Sequence, residues 1–266
     1  MQSDNRPIGI FDSGIGGLTV FKAIREALPK ESLIYLGDTA RLPYGTKSEE
    51  TVTRYAIQNA NFLIKRDVKA IVVACNTASA YALSKLRSTV GVPVLGVVEP
   101  GSKEGTKATK NKRIGVIATA ATVESRAYHV AIQNIDPEIV VQSKSCGLFV
   151  PIVEEGMEES HIARLAVEEY LRELCDSGID TLVLGCTHYP LLKGMISEMF
   201  GEKIMLVDSA FATARELNEM FVSGKLLSSE CETSDVICVT DLTTHFEMVA
   251  KRLLGKPHQK LTKVDL

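Results

Sequence analysis

The 266-residue chain has six cysteines, at 75, 146, 175, 186, 231 and 238, but no two of them at C-x-x-C spacing. That gap argues against a zinc ribbon or a thioredoxin-like redox site, so no metal is expected. In a reducing cytosol the six read as free thiols. A basic surplus is also missing, because the formal net charge is -3. Nucleic-acid-binding domains usually carry excess Lys and Arg, so no nucleic-acid partner is expected. No apolar run approaches the ~20 residues needed to cross a bilayer. Residues 1–6 are polar and lack the apolar stretch of a signal peptide. A cytoplasmic protein without membrane contact is the resulting expectation. Two phosphate-binding signatures are absent as well: there is no G-x-G-x-x-G spacing and no Gly-Lys-Ser/Thr ending a P-loop.

What the chain does contain is short apolar runs alternating with longer amphipathic stretches. Residues 8–11, 33–36, 70–74, 94–97, 114–117, 139–142, 181–184, 204–207 and 236–239 read as strands. They are rich in Ile, Val and Leu with little polar alternation, as strands buried on both faces should be. Helical patterns cover residues 48–65, 78–88, 123–134 and 161–177. This order predicts an α/β architecture with parallel sheets. Two stretches repeat. Arg6-Pro7-Ile8-Gly9-Ile10-Phe11 parallels Lys112-Arg113-Ile114-Gly115-Val116-Ile117, and Val72-Val73-Ala74-Cys75-Asn76-Thr77 parallels Val183-Leu184-Gly185-Cys186-Thr187-His188. The intervals from Ile8 to Cys75 and from Ile114 to Cys186 are nearly equal. Two pseudo-symmetric α/β domains are therefore expected, residues 1–97 with 210–266 and residues 98–209, with the active site in the cleft between them. The Lys-rich stretch 103–113 and the basic tail 256–266 read as surface elements.

In parallel α/β sheets, ligands bind beyond the carboxyl ends of the strands, so the residues just after each strand matter most. Asp12-Ser13-Gly14-Ile15-Gly16-Gly17 follows the first strand and precedes a helix. Glycines there admit a tight turn, and the free N–H groups of the helix start favour an anion such as a carboxylate. Asp12 could equally be a helix cap. Cys75-Asn76-Thr77 and Cys186-Thr187-His188 occupy equivalent strand ends. A lone cysteine there is usually a small buried hydrophobe. Two at matching places, beside hydrogen-bonding side chains, point to chemistry. A helix N-terminus would favour the thiolate, and His188 could exchange a proton with Cys186. A thiol hydrolase built on Cys186 and His188 is less favoured, because residues so close in sequence seldom align as nucleophile and base. The loop Asp38-Thr39-Ala40-Arg41-Leu42-Pro43-Tyr44-Gly45 reads as a substrate clamp or an ordinary turn.

Taken together, these motifs resemble the bacterial glutamate racemases. The matching stretches are residues 8–20, 35–46, 74–78, 96–100, 114–125 and 184–191, in the expected order. The resemblance implies interconversion of L- and D-glutamate without a cofactor, supply of D-glutamate for peptidoglycan, and a homodimer. It implies that Cys75, with Asp12 near it, acts on D-glutamate, and that Cys186, assisted by His188, acts on L-glutamate. Ser13, Pro43, Tyr44, Gly45, Asn76, Thr77 and Thr187 fall on substrate-binding positions, as do Asp12 and His188. Glu154 falls on an acidic position with a supporting role, and Thr119 and Thr122 are further lining candidates. The chemistry fits the parts. Inverting a stereocentre means taking a proton from one face and returning one to the other, which two acid–base groups on opposite sides achieve. Fixed hydrogen-bond donors must then hold the developing negative charge. The alternatives are an aspartate or hydantoin racemase of the same superfamily, or a non-catalytic binding protein with this fold.

Overall fold

The computed structural model describes residues 3–201, 204–229, 233–255 and 260–266; Cys231 and residues 256–259 of the basic tail lie outside the described residues. In chain order the strands are β1 (Ile8–Asp12), β2 (Leu33–Gly37), β3 (Ala70–Val73), β4 (Val94–Gly96), β5 (Arg113–Ala118), β6 (Val140–Ser145), β7 (Thr181–Gly185), β8 (Met205–Asp208), β9 (Val236–Val239) and β10 (Lys260–Lys263). They form two sheets, ordered β10-β9-β2-β1-β3-β4 and β6-β5-β7-β8. Every pairing is parallel. The segment β2-β1-β3-β4 of the first sheet recurs as β6-β5-β7-β8 in the second. The repeat read in the sequence is thus a repeat of topology, and β3 and β7, the strands that precede Cys75 and Cys186, hold equivalent places.

The weak alternation of the strands has a direct cause. In the first sheet Ile8, Ile10, Leu33, Tyr35, Ala70 and Val72 face one apolar cluster. The intervening Phe11, Ile34, Leu36, Ile71 and Val73 face a second one. In the second sheet Ile117, Leu182 and Leu184 pack into one cluster, and Ile114, Val116 and Val183 into another. Successive side chains point to opposite faces, and helices cover both, so every position must be apolar. Edge strands β6 and β10 are exceptions, with no buried residue among those described.

The helices are α1 (Leu18–Ala27), α2 (Glu49–Ile64), α3 (Asn76–Thr89), α4 (Val98–Ala108), α5 (Ala120–Glu124), α6 (Ala127–Ile135), α7 (Phe149–Glu154), α8 (His161–Asp176), α9 (Lys193–Phe200), α10 (Ser209–Gly224) and α11 (Thr244–Leu254). Ser48 and Ser160 cap α2 and α8 by accepting from the backbone N–H groups of Thr51 and Ala163. Such caps fix the starts of these two helices. The single helix expected over residues 123–134 is instead two, α5 and α6. Arg126 has φ of 56°, in the left-handed region, and the Ser125 hydroxyl accepts from the Ala127 N–H, so the helix stops and restarts. The tail also departs from expectation. Residues 260–263 form β10, paired with β9 at the sheet edge. An edge strand needs no apolar alternation, so its polar composition concealed it. The chain crosses from the first sheet to the second through α4 and returns through α10, and these two helices pack on each other. None of the described helices is long and apolar enough to cross a membrane.

Candidate active site

The carboxyl ends of the central strands meet across the two sheets and enclose a small cavity. Cys75, Asn76 and Thr77 enter it from the start of α3, and Ser13 from the loop after β1. Pro43, Tyr44 and Gly45 close one side. Thr119, Glu154, Cys186, Thr187 and His188 come from the second sheet and its loops. Two of the predicted site residues stand behind the lining. Asp12 is fully buried under its own loop, and Thr122 lies in a hydroxyl cluster with Thr77 and Thr119. Leu42 and Val150 also line the cavity and carried no signal in the sequence, since both read as ordinary apolar positions. The cavity measures about 20 Å³, room for roughly one water.

Local structure explains how each side chain is held. Asp12 ends β1, and its Oδ2 accepts from the N–H groups of Gly14 and Gly17, both at 3.0 Å. These bonds tie the loop ahead of α1, whose N-cap is Gly17, and Asp12 Oδ1 is buried with no hydrogen-bond partner among the described residues. Tyr35 donates to the Gly14 carbonyl at 2.6 Å and pins the same loop. Gly16 lets this loop touch the second sheet: a Cβ there would lie 2.3 Å from Thr187 Oγ1 and 2.6 Å from His188 Nδ1. Tyr44 lines the cavity with its ring, while its hydroxyl bonds Asp38 and accepts from Asn59 Nδ2 at 3.1 Å. Arg41 clamps the same Asp38 carboxylate at 2.7 Å. The Tyr44 hydroxyl is therefore spent on buttressing the clamp through Asp38 of the same loop and Asn59 of α2, the partner that sequence reading missed.

Cys75 is the N-cap of α3 and accepts from the Ala78 N–H at 3.4 Å. Its thiol also reaches Ser13 Oγ at 3.8 Å. The helix start was expected to favour the thiolate. Burial acts the other way and wins: with the nearby Asp12 carboxylate, it pushes the Cys75 thiol up to about 12, against the weaker pull of Ala78 and Ser13. Burial likewise raises Asp12, partly offset by the positive charge of His188 and by its N–H donors.

Cys186 sits in a different setting. Its Sγ lies 3.7 Å from His188 Nδ1, close enough for the proton exchange expected of the pair. His188 Nε2 meets Glu154 Oε1 at 3.1 Å, bringing in a residue 34 positions away at the end of α7. Burial disfavours the imidazolium, but Cys186 and Glu154 outweigh it and push His188 up to about 10. The site therefore holds a protonated thiol on the first sheet's side and the Cys186 sulfur beside an imidazolium on the other.

Around them stand donors. Thr77, Thr119 and Thr122 bond one another at 3.0 to 3.1 Å across the two sheets. Tyr128 donates to Asn76 Oδ1 at 2.7 Å. Asn76 Nδ2 is buried with no partner among the described residues. This arrangement can exchange protons from two directions and hold an anion between them. Residues 8–217 match the Asp/Glu/Hydantoin racemase family. The chain belongs to that family. It is 52% identical over 251 residues to a glutamate racemase of Geobacter metallireducens, covering 94% of this chain and 93% of that one. Among solved racemases, the glutamate racemase isoform RacE1 of Bacillus anthracis superposes with a TM-score of 0.96 at 38% identity, covering 99% of this chain and 98% of that one. The glutamate racemase of Francisella tularensis subsp. tularensis SCHU S4, solved in complex with D-glutamate, gives 0.92 at 40% identity with the same coverage.

Proposed function

We propose that this chain interconverts L- and D-glutamate by passing the α-hydrogen between Cys75 and Cys186. The observation that carries the reading is that two thiols, one from each sheet, line one cavity. In the L-to-D direction, the Cys186 thiolate removes the proton from Cα and becomes a thiol. The electron pair left on Cα delocalises into the carboxylate. The Cys75 thiol then delivers its proton to the opposite face and becomes a thiolate. The D-to-L direction exchanges the roles. The strong desolvation of Cys75 makes its thiolate a potent base for the return journey. Asp12 behind it and the Glu154–His188 pair beside Cys186 restore the starting protonation. Asn76, Thr77 and Thr187 are the fixed donors that hold the developing charge.

The reading uses thiols alone and calls for neither pyridoxal phosphate nor a metal. It also takes the chain as two units, residues 1–97 with 210–266 and residues 98–209, supported by the division of strands between the sheets. Likeness to the glutamate racemases supports a homodimer in the cytoplasm that supplies D-glutamate for peptidoglycan. The test is to incubate the protein with L-glutamate, or separately with L-aspartate, in deuterated water. Loss of optical rotation together with α-deuterium uptake is expected from glutamate. Cys75→Ser and Cys186→Ser should each lower the rate by about 10²–10⁴-fold, the usual worth of a positioned acid or base. Faster racemisation of aspartate would overturn the substrate, and near-normal rates in either serine variant would overturn the two-thiol scheme.

A further inference from the structure

Asn76 carries an ambiguity that the rest of the site resolves. Its side-chain amide has an acceptor end and a donor end of the same shape. A carboxylate in the cavity needs the donor end, because a carbonyl oxygen facing it would repel it. Asn76 is almost fully buried, at 3% exposure, so a wrongly turned amide could not be rescued by solvent. Whatever bonds the far end of the amide therefore decides what the cavity sees.

That partner is Tyr128. It stands on α6, among the second sheet's helices, and is 2% exposed. Its hydroxyl donates to Asn76 Oδ1 at 2.7 Å, which leaves the unpartnered Nδ2 as the cavity-facing end. A tyrosine hydroxyl has only one proton to give. It is given to Asn76, and Ser209 at the start of α10 packs near the same hydroxyl. Its location adds to the case. Ser209 opens α10, and Gly101 of α4 lies so close that a Cβ there would come within 3.1 Å of Ser209 Cβ and 3.3 Å of the Tyr128 hydroxyl. Tyr128 thus sits where both chain crossings between the sheets pass.

We propose that Tyr128 is a positioning residue for substrate: buried against the crossing helices, it fixes the Asn76 amide so that Nδ2 meets a carboxylate of the bound amino acid. The inference rests on the glutamate reading above. A glutamate carboxylate gains one oriented, charge-assisted hydrogen bond from this arrangement, and binding is weakened when the amide is free to turn.

The experiment compares the full-length protein with Y128F, N76A and the double variant, measuring kcat and KM for L- and D-glutamate and the melting temperature of each. Racemisation by the parent protein is scored first, and its failure would count against the glutamate reading alone. Y128F keeps the ring and loses only the hydroxyl. It should raise KM about tenfold with a much smaller change in kcat, as expected for loss of an interaction made in both the bound and the reacting state. In the double variant the Y128F change should add nothing to N76A, because Tyr128 acts only through Asn76. S209A, which loosens the packing beside the Tyr128 hydroxyl, should move KM the same way by less, and it serves if Y128F does not fold. An unchanged KM in Y128F and S209A, or effects of Y128F and N76A that simply multiply, would overturn the proposal. So would a fall in kcat that tracks a lower melting temperature.

Discussion

Single residues in the site take their properties from burial and close partners more than from their sequence neighbours. Cys75 begins a helix, a position that ordinarily lowers a thiol's pKa, yet desolvation dominates and holds it protonated. His188 is raised to about 10 against its own burial, because Cys186 and Glu154 both favour the cation. A raised pKa has a definite stability signature. The stability from this imidazolium is complete below its ordinary value of 6.5, declines as pH rises, and is lost above about 10. Glu154→Gln removes one of the two partners responsible. The gap in denaturation midpoint between the parent and Glu154→Gln should be widest near pH 6 and close as pH approaches 10. A gap that does not vary with pH would mean that Glu154 does not hold the charge on His188. The candidate residues themselves were readable from the sequence, because a cysteine just after an apolar run is a local fact. Their protonation was not, since it depends on everything packed around them.

At the scale of elements, the loops after the strands do the joining, and glycine makes this possible where two backbones approach. Gly16 sits against Thr187 and His188, and His188 is itself pinned between Cys186 and Glu154, so neither neighbour can retreat freely. Gly16→Ala should cost about 1–3 kcal/mol of stability, as overpacking does, and should lower activity by more than the loss of folded protein explains. Gly147→Ala is the matched control: its Cβ would meet nothing within 4 Å, and activity should be unchanged. Equal behaviour of the two variants in a paired kinetic and thermal-melting assay would show that the Gly16 contact is unimportant. Strands and long helices were recoverable from pattern, because burial on both faces leaves runs of Ile, Val and Leu. The split between α5 and α6 was not, because the left-handed turn at Arg126 breaks no hydrophobic period. Nor was β10, whose edge position frees it from that pattern.

At the scale of the whole molecule, the segment after α10 must be held to the first sheet for that sheet to have its β9 and β10 edge. Lys69, fully buried just before β3, does much of this far from the cavity. It pairs with Glu31 at 2.5 Å and donates to the carbonyls of Asp4 and Leu226, while Glu31 accepts from the Ser228 N–H. Breaking a buried pair by removing one partner strands the other charge, at a cost of about 3–5 kcal/mol. Lys69→Met should therefore destabilise the protein by that amount in urea unfolding. The companion double change Lys69→Met with Glu31→Leu should recover much of it. No recovery would mean that the carbonyl contacts, and not the ion pair, hold this corner.

What the chain alone determined is whatever depends on near neighbours: two α/β repeats, strands buried on both faces, and a cysteine at the end of the matching strand in each. Only the folded molecule decided that both thiols line one cavity, that Glu154 reaches His188, and that Tyr128 turns Asn76. Those outcomes depend on how segments distant in sequence pack, and on how that packing removes water from the groups it encloses. No local pattern carries either piece of information.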